Sequence, residues 1–557
     1  MKALMYVKLY WETLVIILVP LLLLPLVISG NKPMQCAYVV LVVAIFWITE
    51  VLNLPVTSLI PIVLFPTFGI LTPKMIAACY MKDVSIMLIG GLIVAKTVEK
   101  QKLHKRLALG ILKIMGPNPA FQYFGFMFAT WFLSMWISNT ATAAMMVTLA
   151  EAVAQQWRYL SSYRENRHQN INTVSETIVN GAYESHTRFD IGEDCDREIK
   201  KTDKISKGLF LSVAYAAACG GIATIPGTGA NIVFYGYMEE RYGSRINLNF
   251  SNFMLFTFPI SVINVLIAWM LLSLRYIGFN TIFKRRVDPV RDGRIMKLIN
   301  QEYIKLGNIK YGEISTLIVF ILMVLLWILR DPGTPIWGLL FTHKTQSGKV
   351  VKYWGDSITA ILAALLVFIL PSKNPFKHIH NNEKLNNWKF IENNFSWGVV
   401  FLFGGGFALA AGCEESGLSP IIGNSLTYLK NLPHFIIIFI ISLGVSFLTE
   451  VTSNIATATV LLPIVLNMAE AIKMHPLILG LSSTIACSFS FCLPAANPPN
   501  AIVFSTGRVR VIDMASSGFM LNIICVLILS VMVYFYSVPI FNTNTFPDWI
   551  SANKSQI

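Results

Sequence analysis

Two short polar segments interrupt otherwise apolar stretches of the chain, and their residue types suit the binding of small ions. Ser138-Asn139-Thr140-Ala-Thr-Ala143 and Ser453-Asn454-Ile455-Ala-Thr-Ala458 lie 315 residues apart (454 − 139). An asparagine amide donates hydrogen bonds to a carboxylate through its nitrogen and ligates a cation through its oxygen, and Ser and Thr add hydroxyl groups. For a single segment, packing of small polar residues between helices is the competing interpretation. Their repetition favours a binding site.

A second repeated feature is a helix-breaking segment that contains asparagine. Gly227-Thr228-Gly229-Ala230-Asn231 parallels Ala496-Asn497-Pro498-Pro499-Asn500 at an offset of 269 residues (500 − 231). Gly and Pro weaken or remove helix hydrogen bonds, and non-helical backbone at membrane depth is tolerated only where it lines a cavity or is buried in protein. Paired broken helices are typical of secondary transporters, because their N-termini attract anions and their unwound carbonyls ligate Na⁺.

Acidic residues beside apolar stretches are further candidates, because ionisable groups inside a membrane are costly and often functional. Glu450 precedes Ser453 by three residues, close enough to shape the site or the chemistry of a bound cation. The other candidates are Glu50 and three residues near the ends of apolar stretches, Glu99, Glu414 and Glu415. Signatures of serine hydrolases, zinc proteases and phosphate loops are absent, which argues against an enzyme.

The offset of 315 residues also relates a glycine-rich stretch, Gly90 to Ala95, to the stretch Gly405 to Ala410. We therefore predict that each copy contains a glycine-rich apolar hairpin, then a Ser-Asn motif, then a helix break. The break offset is smaller by 46 residues, close to the length of a charged segment after residue 157 that has no counterpart in the second half. One insertion accounts for the difference, so the pattern predicts an internal duplication.

Composition indicates that lipid is the solvent for most of the chain. Hydrophobic residues make up 55% of the 557 residues and charged residues 13%, whereas a soluble protein carries about a quarter charged residues. Apolar stretches long enough to cross a bilayer number about 11, and several are broken by Gly or Pro. The sequence therefore predicts an all-α polytopic membrane protein.

Basic residues gather between the apolar stretches. The formal net charge of +14 could suggest nucleic acid, but the positive-inside rule explains basic loops at a cytoplasmic face without it. Lys2 and Lys8 before the first span favour a cytoplasmic N-terminus. The predicted order is a membrane segment with the first hairpin and Ser-Asn-Thr motif (1–156), a charged cytoplasmic loop (157–207), the remainder of the first repeat (208–276), a basic cytoplasmic loop (277–312), a second membrane half with the second hairpin and Ser-Asn motif (313–540), and an extracellular tail (541–557).

Together with Leu103-His104-Lys105-Arg106, these motifs resemble the divalent-anion/sodium symporter family, which includes sodium-coupled dicarboxylate, citrate and sulfate carriers. The resemblance extends over nearly the whole chain. It implies a homodimer built from inverted repeats, with two re-entrant hairpins and two broken helices in a mobile part that moves like an elevator against a scaffold.

The resemblance also implies the site residues. The first Na⁺ site would involve Ser134, Ser138, Asn139 and Gly227, and the second would involve Thr449, Thr452, Asn454 and Ala496. Substrate would meet Asn139, Thr140, Thr228, Asn454, Asn497 and Pro498.

The implied substrates are di- and tricarboxylates such as succinate and citrate. Gly227-Thr228-Gly229 and Thr452-Ser453-Asn454-Ile455 resemble the carboxylate carriers, but Ile455 replaces a threonine that some members have. Ala496-Asn497-Pro498-Pro499 and Cys413-Glu414-Glu415-Ser416-Gly417 look more like the sulfate carriers. The alternatives are therefore a sodium–sulfate cotransporter and a citrate exchanger independent of Na⁺.

The end of the sequence carries a glycosylation sequon, Asn553-Lys554-Ser555, after the last apolar stretch. A cytoplasmic N-terminus and an odd number of spans would place it outside the cell. We therefore predict a glycoprotein of the plasma membrane with an extracellular C-terminus.

Overall fold

The computed structural model describes residues 2–116, 118–178, 190–278, 289–330, 336–344, 350–376, 383–419, 421 and 431–553. Helices dominate these residues, and the two strands form one antiparallel pair, β1 (Thr342–Lys344) with β2 (Val350–Lys352), in which His343 is opposite Val351. The helices of the first half are α1 (Lys2–Ile28), α2 (Lys32–Thr49), α3 (Leu54–Thr57), α4 (Ile60–Thr67), α5 (Pro73–Tyr80), α6 (Asp83–Lys100), α7 (Leu103–Met115), α8 (Pro119–Ser134), α9 (Asn139–Ile178), α10 (Asp190–Gly221), α11 (Gly229–Tyr242) and α12 (Phe250–Leu272). Those that follow are α13 (Pro289–Lys305), α14 (Tyr311–Ile328), α15 (Asp356–Ile369), α16 (Trp388–Asn394), α17 (Trp397–Glu415), α18 (His434–Leu448), α19 (Asn454–Ala471), α20 (Pro476–Ala486), α21 (Pro498–Ser505), α22 (Val511–Val531), α23 (Ser537–Phe541) and α24 (Asp548–Asn553).

Apolar helices confirm the predicted class. Among the described residues, 8 helical segments are long and apolar enough to cross a membrane, and four shorter helices are also apolar. The chain is therefore a multi-pass membrane protein, and the number of about 11 spans stays a prediction. The long segments are Tyr10–Ile28, Lys32–Thr49, Pro73–Lys100, Phe250–Ile277, Tyr311–Ile328, Trp397–Glu415, Asn454–Ala471 and Val511–Phe541.

Helix α17 lies between two buried apolar clusters. Leu402, Leu409 and Cys413 share one face and belong to a smaller cluster built mainly on α2. Phe403 and Phe407 belong to the larger cluster, which gathers most other helices. Residues that are four or seven positions apart lie on one side of a helix. Helix α17 therefore presents one face to the smaller cluster and another face to the larger cluster.

The predicted glycine-rich hairpins are wrong. Gly90 lies inside the continuous helix α6, and Gly405 lies inside the continuous helix α17. A Cβ atom placed on Gly90 would lie 2.5 Å from the carbonyl carbon of Ala360 on α15, and one on Gly405 would lie 2.7 Å from the carbonyl oxygen of Ser58. These glycines allow helices to approach closely in lipid. The helices end instead at the two Ser-Asn motifs, where α8 gives way to α9 and α18 to α19.

Helices occupy much of the two segments that were predicted as polar loops. In the charged segment 157–207, α9 continues to Ile178 and α10 begins at Asp190, while residues 179–189 lie outside the described part. Arg158 Nε and Asp203 Oδ1, 3.0 Å apart, join the two helices. In the basic segment 277–312, α13 is the corresponding helix, and residues 279–288 are not described. Their cytoplasmic location stays a prediction.

The close contact of α6 with α15 predicts opposite effects for two Gly-to-Ala changes. Gly90→Ala should lower the free energy of unfolding by about 1–3 kcal/mol, because its methyl group meets backbone that cannot move aside. Gly110, inside α7, has nothing within 4 Å of its Cβ position, so Gly110→Ala should raise the stability by about 0.5–1 kcal/mol. Thermal melting of purified protein measures both. A Gly90→Ala variant that melts at or above the wild-type temperature would contradict this packing.

Candidate anion and cation site

The first Ser-Asn motif forms the turn between α8 and α9, here called the first tip (residues 134–139). Ser134 ends α8 and is fully buried. Its hydroxyl lies within hydrogen-bond distance of Asn139 Oδ1 and 2.7 Å from the carbonyl oxygen of Ala217 on α10. A Cβ atom on Gly221 would lie 2.8 Å from Asn139 Nδ2. The Asn139 amide therefore rests on the last turn of α10, where only glycine leaves room.

The remaining groups of this tip are accessible. Ser138 and Thr140 are exposed and Asn139 is partly buried. The Ser138 hydroxyl accepts a hydrogen bond from the Ala141 N–H at 3.2 Å, as expected for a residue that caps a helix. Helix α9 therefore begins at the tip with its first N–H groups close to exposed hydroxyl groups.

The first helix break, residues 222–228, separates α10 from α11. It contains one turn of 3₁₀ helix, Ile225–Gly227, and Thr228 directly precedes α11. The buried Asn231 side chain reaches back, and its Nδ2 lies 3.2 Å from the carbonyl oxygen of Gly221 and 2.8 Å from that of Thr224. The Thr224 hydroxyl donates to the Met135 carbonyl at 2.5 Å. These contacts satisfy backbone carbonyls that the break releases and tie it to the first tip.

The second Ser-Asn motif forms an equivalent tip (residues 449–454) between α18 and α19. The Thr449 hydroxyl lies 2.7 Å from Asn454 Oδ1 and 3.0 Å from the carbonyl oxygen of Cys487. Ser490 Oγ approaches the same asparagine oxygen at 3.4 Å. Thr449 follows Ser134 by 315 residues. The hydroxyl-to-asparagine contact is therefore repeated.

The second helix break, residues 487–497, is supported like the first. Asn500 Nδ2 donates to the carbonyl oxygens of Ser490 at 2.8 Å and Leu493 at 3.0 Å. These three residues follow Asn231, Gly221 and Thr224 by 269 residues each. The 3₁₀ turn also recurs, at Pro494–Ala496. The duplication predicted from the sequence therefore extends to individual hydrogen bonds.

Glu450 supports the second break and stands where the first half has Met135. Its buried carboxylate accepts hydrogen bonds from the backbone N–H groups of Cys492 at 2.9 Å and Leu493 at 3.0 Å, and from Asn522 Nδ2 at 2.6 Å. Glu450 thus supplies acceptors to the second break, and its influence on a bound cation stays a prediction.

Several predicted side chains have individual environments. Asn497 immediately precedes α21 and is 3% exposed, and its Nδ2 has no hydrogen-bond partner among the described residues. The Thr452 hydroxyl is engaged locally, 2.9 Å from the Leu448 carbonyl oxygen and 2.5 Å from the Thr457 hydroxyl. Ile455 lies against Gly229 at the start of α11. An amide donor is thus available at Asn497, and an apolar surface replaces a hydroxyl at Ile455.

Four helices begin at these tips and breaks: α9, α11, α19 and α21. Helix α9 packs on α21, and α11 packs on α19. Arg508 Nη2, just beyond α21, lies 2.5 Å from Glu151 Oε1 on α9. Arg241 Nη2 on α11 lies 3.0 Å from Glu470 Oε1 on α19. Because each pair is joined far from its starting residues, the two helices of a pair run in parallel.

The contacts close into a ring. The first tip contacts the first break, which leads into α11, and α11 packs on α19. Helix α19 starts from the second tip, which contacts the second break. That break leads into α21, and α21 packs on α9. A helix N-terminus carries roughly half a positive charge and N–H groups without partners. This ring therefore suits an anion at its helix starts and a cation among its hydroxyl, amide and carbonyl oxygens.

All predicted ion- and substrate-binding residues lie on the tips or breaks or at their borders: Ser134, Ser138, Asn139, Thr140, Gly227, Thr228, Thr449, Thr452, Asn454, Ala496, Asn497 and Pro498. The supporting role of Asn231 and Asn500 was not predicted from the sequence, although their repetition at one offset was a signal. The Arg–Glu pairs were not predicted either, because the spacing of these residues in the sequence gives no signal for them. Asn553 ends α24, and Lys554 and Ser555 lie outside the described residues.

Comparison with known proteins identifies the family of the chain. The family model described as the sodium:sulfate symporter transmembrane region matches residues 6–542. The chain belongs to this symporter family. The resemblance noted from the motifs is thereby confirmed, and the family is one of transporters.

Relatives in the family match over nearly their full length. Solute carrier family 13 member 1 of Mus musculus is 39% identical over 100% of both chains. Solute carrier family 13 member 2 of Homo sapiens is 39% identical over 98% of this chain and 96% of its own. The Na(+)/citrate cotransporter of Mus musculus is 38% identical over 97% of each. Among solved structures, Neisseria gonorrhoeae MtrF covers 85% of this chain and 83% of its own with 12% identity and a TM-score of 0.47, a likeness too distant to carry a conclusion.

The supporting asparagines predict a matched pair of transport defects. Asn231→Ala and Asn500→Ala each remove an amide donor from break carbonyls, at about 1–3 kcal/mol for every buried group left unsatisfied. Uptake per surface protein should fall in both variants. The control is Asn264→Ala on α12, since both polar side-chain atoms of the buried Asn264 lack partners among the described residues. Wild-type uptake in either break variant, or an equal loss in the control, would contradict the supporting role.

Proposed function

We propose that this protein is a secondary active transporter that couples the movement of di- and tricarboxylates, such as succinate and citrate, to Na⁺. The observation that carries the proposal is the closed ring of two tips and two breaks, from which four helices begin. The Na(+)/citrate cotransporter, 38% identical over nearly the full chain, supports the same substrate class and coupling ion.

The two motif asparagines explain how one site holds both ions. Asn139 Oδ1 and Asn454 Oδ1 lie beside the hydroxyl groups of Ser134 and Thr449. Oxygen atoms of this kind suit Na⁺, and the carbonyls of Gly227 and Ala496 would complete the two cation sites. The amide nitrogens are then left for the substrate. Asn497 Nδ2 and the first N–H groups of α9, α11 and α19 would add donors for two carboxylate groups, whereas α21 begins with two prolines that have no N–H group.

A sodium–sulfate cotransporter is the second candidate. The description of the family model names sulfate, and Ile455 supplies no hydroxyl to a carboxylate. Sulfate is smaller than succinate and would contact fewer of the donors at once. A carboxylate exchanger without Na⁺ would use the same donors with the cation sites idle, so uptake with and without Na⁺ separates it from the main proposal.

The movement we propose is elevator-like. Helices α8 and α18 contain 16 and 15 residues, or about 24 Å and 22 Å at 1.5 Å per residue. Both are shorter than the roughly 30 Å of a hydrocarbon core. They therefore suit re-entrant hairpins that enter and leave on one side. In this account each subunit of a homodimer moves its hairpins and broken helices as one body against a scaffold.

The same architecture supports a cytoplasmic N-terminus and an extracellular C-terminus in the plasma membrane. Lys207 on α10 and Asp513 on α22 form an ion pair at 2.8 Å, and the rings of Tyr242 on α11 and Trp549 on α24 are 5.8 Å apart. Val511–Phe541 contains 31 residues, about 46 Å of helix. Two paths along the chain lead from the Lys207–Asp513 pair to the Tyr242–Trp549 contact, one through α10 and α11 and the other through α22. The C-terminal tail would therefore lie on the side of the membrane opposite these basic residues.

Replacing either motif asparagine should weaken substrate binding in transport. Asn139→Ala and Asn454→Ala each remove a hydrogen bond to a charged partner, worth about 1.5–3 kcal/mol, or roughly ten- to a hundred-fold in affinity. The measurement is uptake of labelled succinate, citrate and sulfate at several concentrations, with and without Na⁺, normalised to surface protein. Asn394→Ala is the control, because Asn394 is exposed and, among the described residues, its side chain bonds only a carbonyl of its own helix.

Carboxylate uptake that needs Na⁺ and weakens in both motif variants would support the proposal. Uptake of sulfate without competition from carboxylates would favour the second candidate. Wild-type affinity in both variants would show that the binding site is assigned to the wrong residues.

The orientation has its own test. An impermeant antibody should label a C-terminal tag on intact animal cells and an N-terminal tag only after permeabilisation. Asn553→Gln should abolish the change in mobility that a glycosidase produces, and Asn394→Gln, which removes the sequon Asn394-Phe395-Ser396, should not. Labelling of the C-terminal tag only after permeabilisation would contradict the orientation.

A further inference from the structure

A large cavity lies at the end of the molecule towards which α9 and α21 run from the ring. It has a volume of about 1030 Å³ and is lined by seven basic and two acidic side chains from α9, α10, the turn that follows α12, the segment that joins α21 to α22, and the first turn of α22. We call it the basic cavity. Ligand sites for drug-sized molecules span about 300–1,000 Å³, so it is large enough for more than a dicarboxylate.

The two acidic groups of the basic cavity are already paired. Asp203 Oδ1 lies 3.0 Å from Arg158 Nε. Asp513 Oδ2 lies 2.8 Å from Lys207 Nζ and 3.3 Å from Arg510 Nε. The Arg508 guanidinium is held by Glu151, outside the lining. The carboxylates therefore neutralise only part of the basic lining.

Three basic side chains of the lining have no carboxylate partner among the described residues: Lys200, Lys204 and Arg275. Arg275 Nη2 donates a hydrogen bond to Ser516 Oγ at 2.7 Å, which fixes its guanidinium but leaves its charge unbalanced. Like charges that line one concavity raise its potential and attract anions. A ligand with several negative charges would relieve the repulsion between these groups.

The position of the basic cavity separates it from the transport site. Along α9, Glu151 lies about 18 Å from Asn139 at 1.5 Å per residue, and Lys207 lies about 21 Å from Gly221 along α10. The exposed Arg275 lies close to the end of the apolar segment Phe250–Ile277, where basic residues meet the headgroup region of a bilayer. The basic cavity is therefore reachable both from water and from the lipid surface.

We propose that the basic cavity binds a multiply phosphorylated anion, either the headgroup of a phosphoinositide lipid or a soluble polyphosphate. Phosphate groups are compact and doubly charged near neutral pH, and basic pockets beside membrane helices are suited to them. The ordinary orientation rule for basic loops explains scattered lysines. It does not explain basic residues from several separate elements around one cavity.

The binding test uses full-length purified protein at physiological ionic strength. The soluble probe is inositol hexakisphosphate, measured by titration calorimetry. The lipid probe is phosphatidylinositol 4,5-bisphosphate in nanodiscs, compared with phosphatidylserine at equal surface charge and measured by native mass spectrometry. The variant Lys200→Gln/Lys204→Gln/Arg275→Gln removes only side chains without carboxylate partners, so the ion pairs stay. It should bind at least tenfold more weakly than wild type.

A matched control removes three charges elsewhere. Lys297, Lys310 and Lys389 are exposed and lie outside the basic cavity, and Lys297→Gln/Lys310→Gln/Lys389→Gln should bind like wild type. Monodisperse elution and an unchanged melting temperature establish that both variants are folded. Loss confined to the soluble probe identifies a free polyphosphate, and loss confined to the lipid probe identifies a headgroup. Absence of binding to both probes, or equal loss in the two triple variants, would overturn the proposal. Neither result depends on transport.

Discussion

The structure depends on one constraint: backbone groups released by a broken helix must find partners inside a membrane protein, because lipid offers none. The chain meets it twice in the same way. Asn231 and Asn500 return their amide groups to the carbonyls of the preceding break. Ser134 turns its hydroxyl group to the helix before the first break, and Thr449 turns its hydroxyl group to the first residue of the second break, Cys487. Glu450 adds acceptors in the second half. With these needs met, the N–H groups at the starts of α9, α11 and α19 are left for a ligand, while α21 begins with two prolines that have no N–H group.

The same arrangement explains why anion and cation binding would be coupled. Each motif asparagine turns its oxygen towards a hydroxyl group and has its amide nitrogen to offer to the substrate. In our proposal, a cation that holds the oxygen also fixes the nitrogen in the orientation that the anion requires. By linkage, the anion then strengthens the cation site by the same factor. The Arg–Glu pairs at the far ends keep each helix pair parallel, so the starts that face the ligand keep their relative position.

The repeated motifs and breaks could be predicted from the sequence because Ser, Asn, Gly and Pro act on the local backbone, whichever residues pack against them. The Gly90 and Gly405 segments failed as hairpins because their glycines serve contacts with Ala360 and Ser58, which lie far away in the chain. The segment after residue 157 was read as a loop from its charge, yet polar composition does not distinguish an exposed helix from a loop. The pairing of Arg508 with Glu151 joins residues 357 positions apart, and no local sequence pattern predicts it.

In the proposed site, one anion binds where the two halves meet, between the starts of α9, α11, α19 and α21. The most direct measurement is a cryo-electron microscopy map of the protein with succinate and Na⁺, at a resolution that shows the ligand. The account predicts density for one succinate in contact with both Asn139 and Asn454, with cation density on the oxygen side of each asparagine. Succinate density that contacts residues of only one half of the chain, or that lies away from both asparagines, would contradict this arrangement.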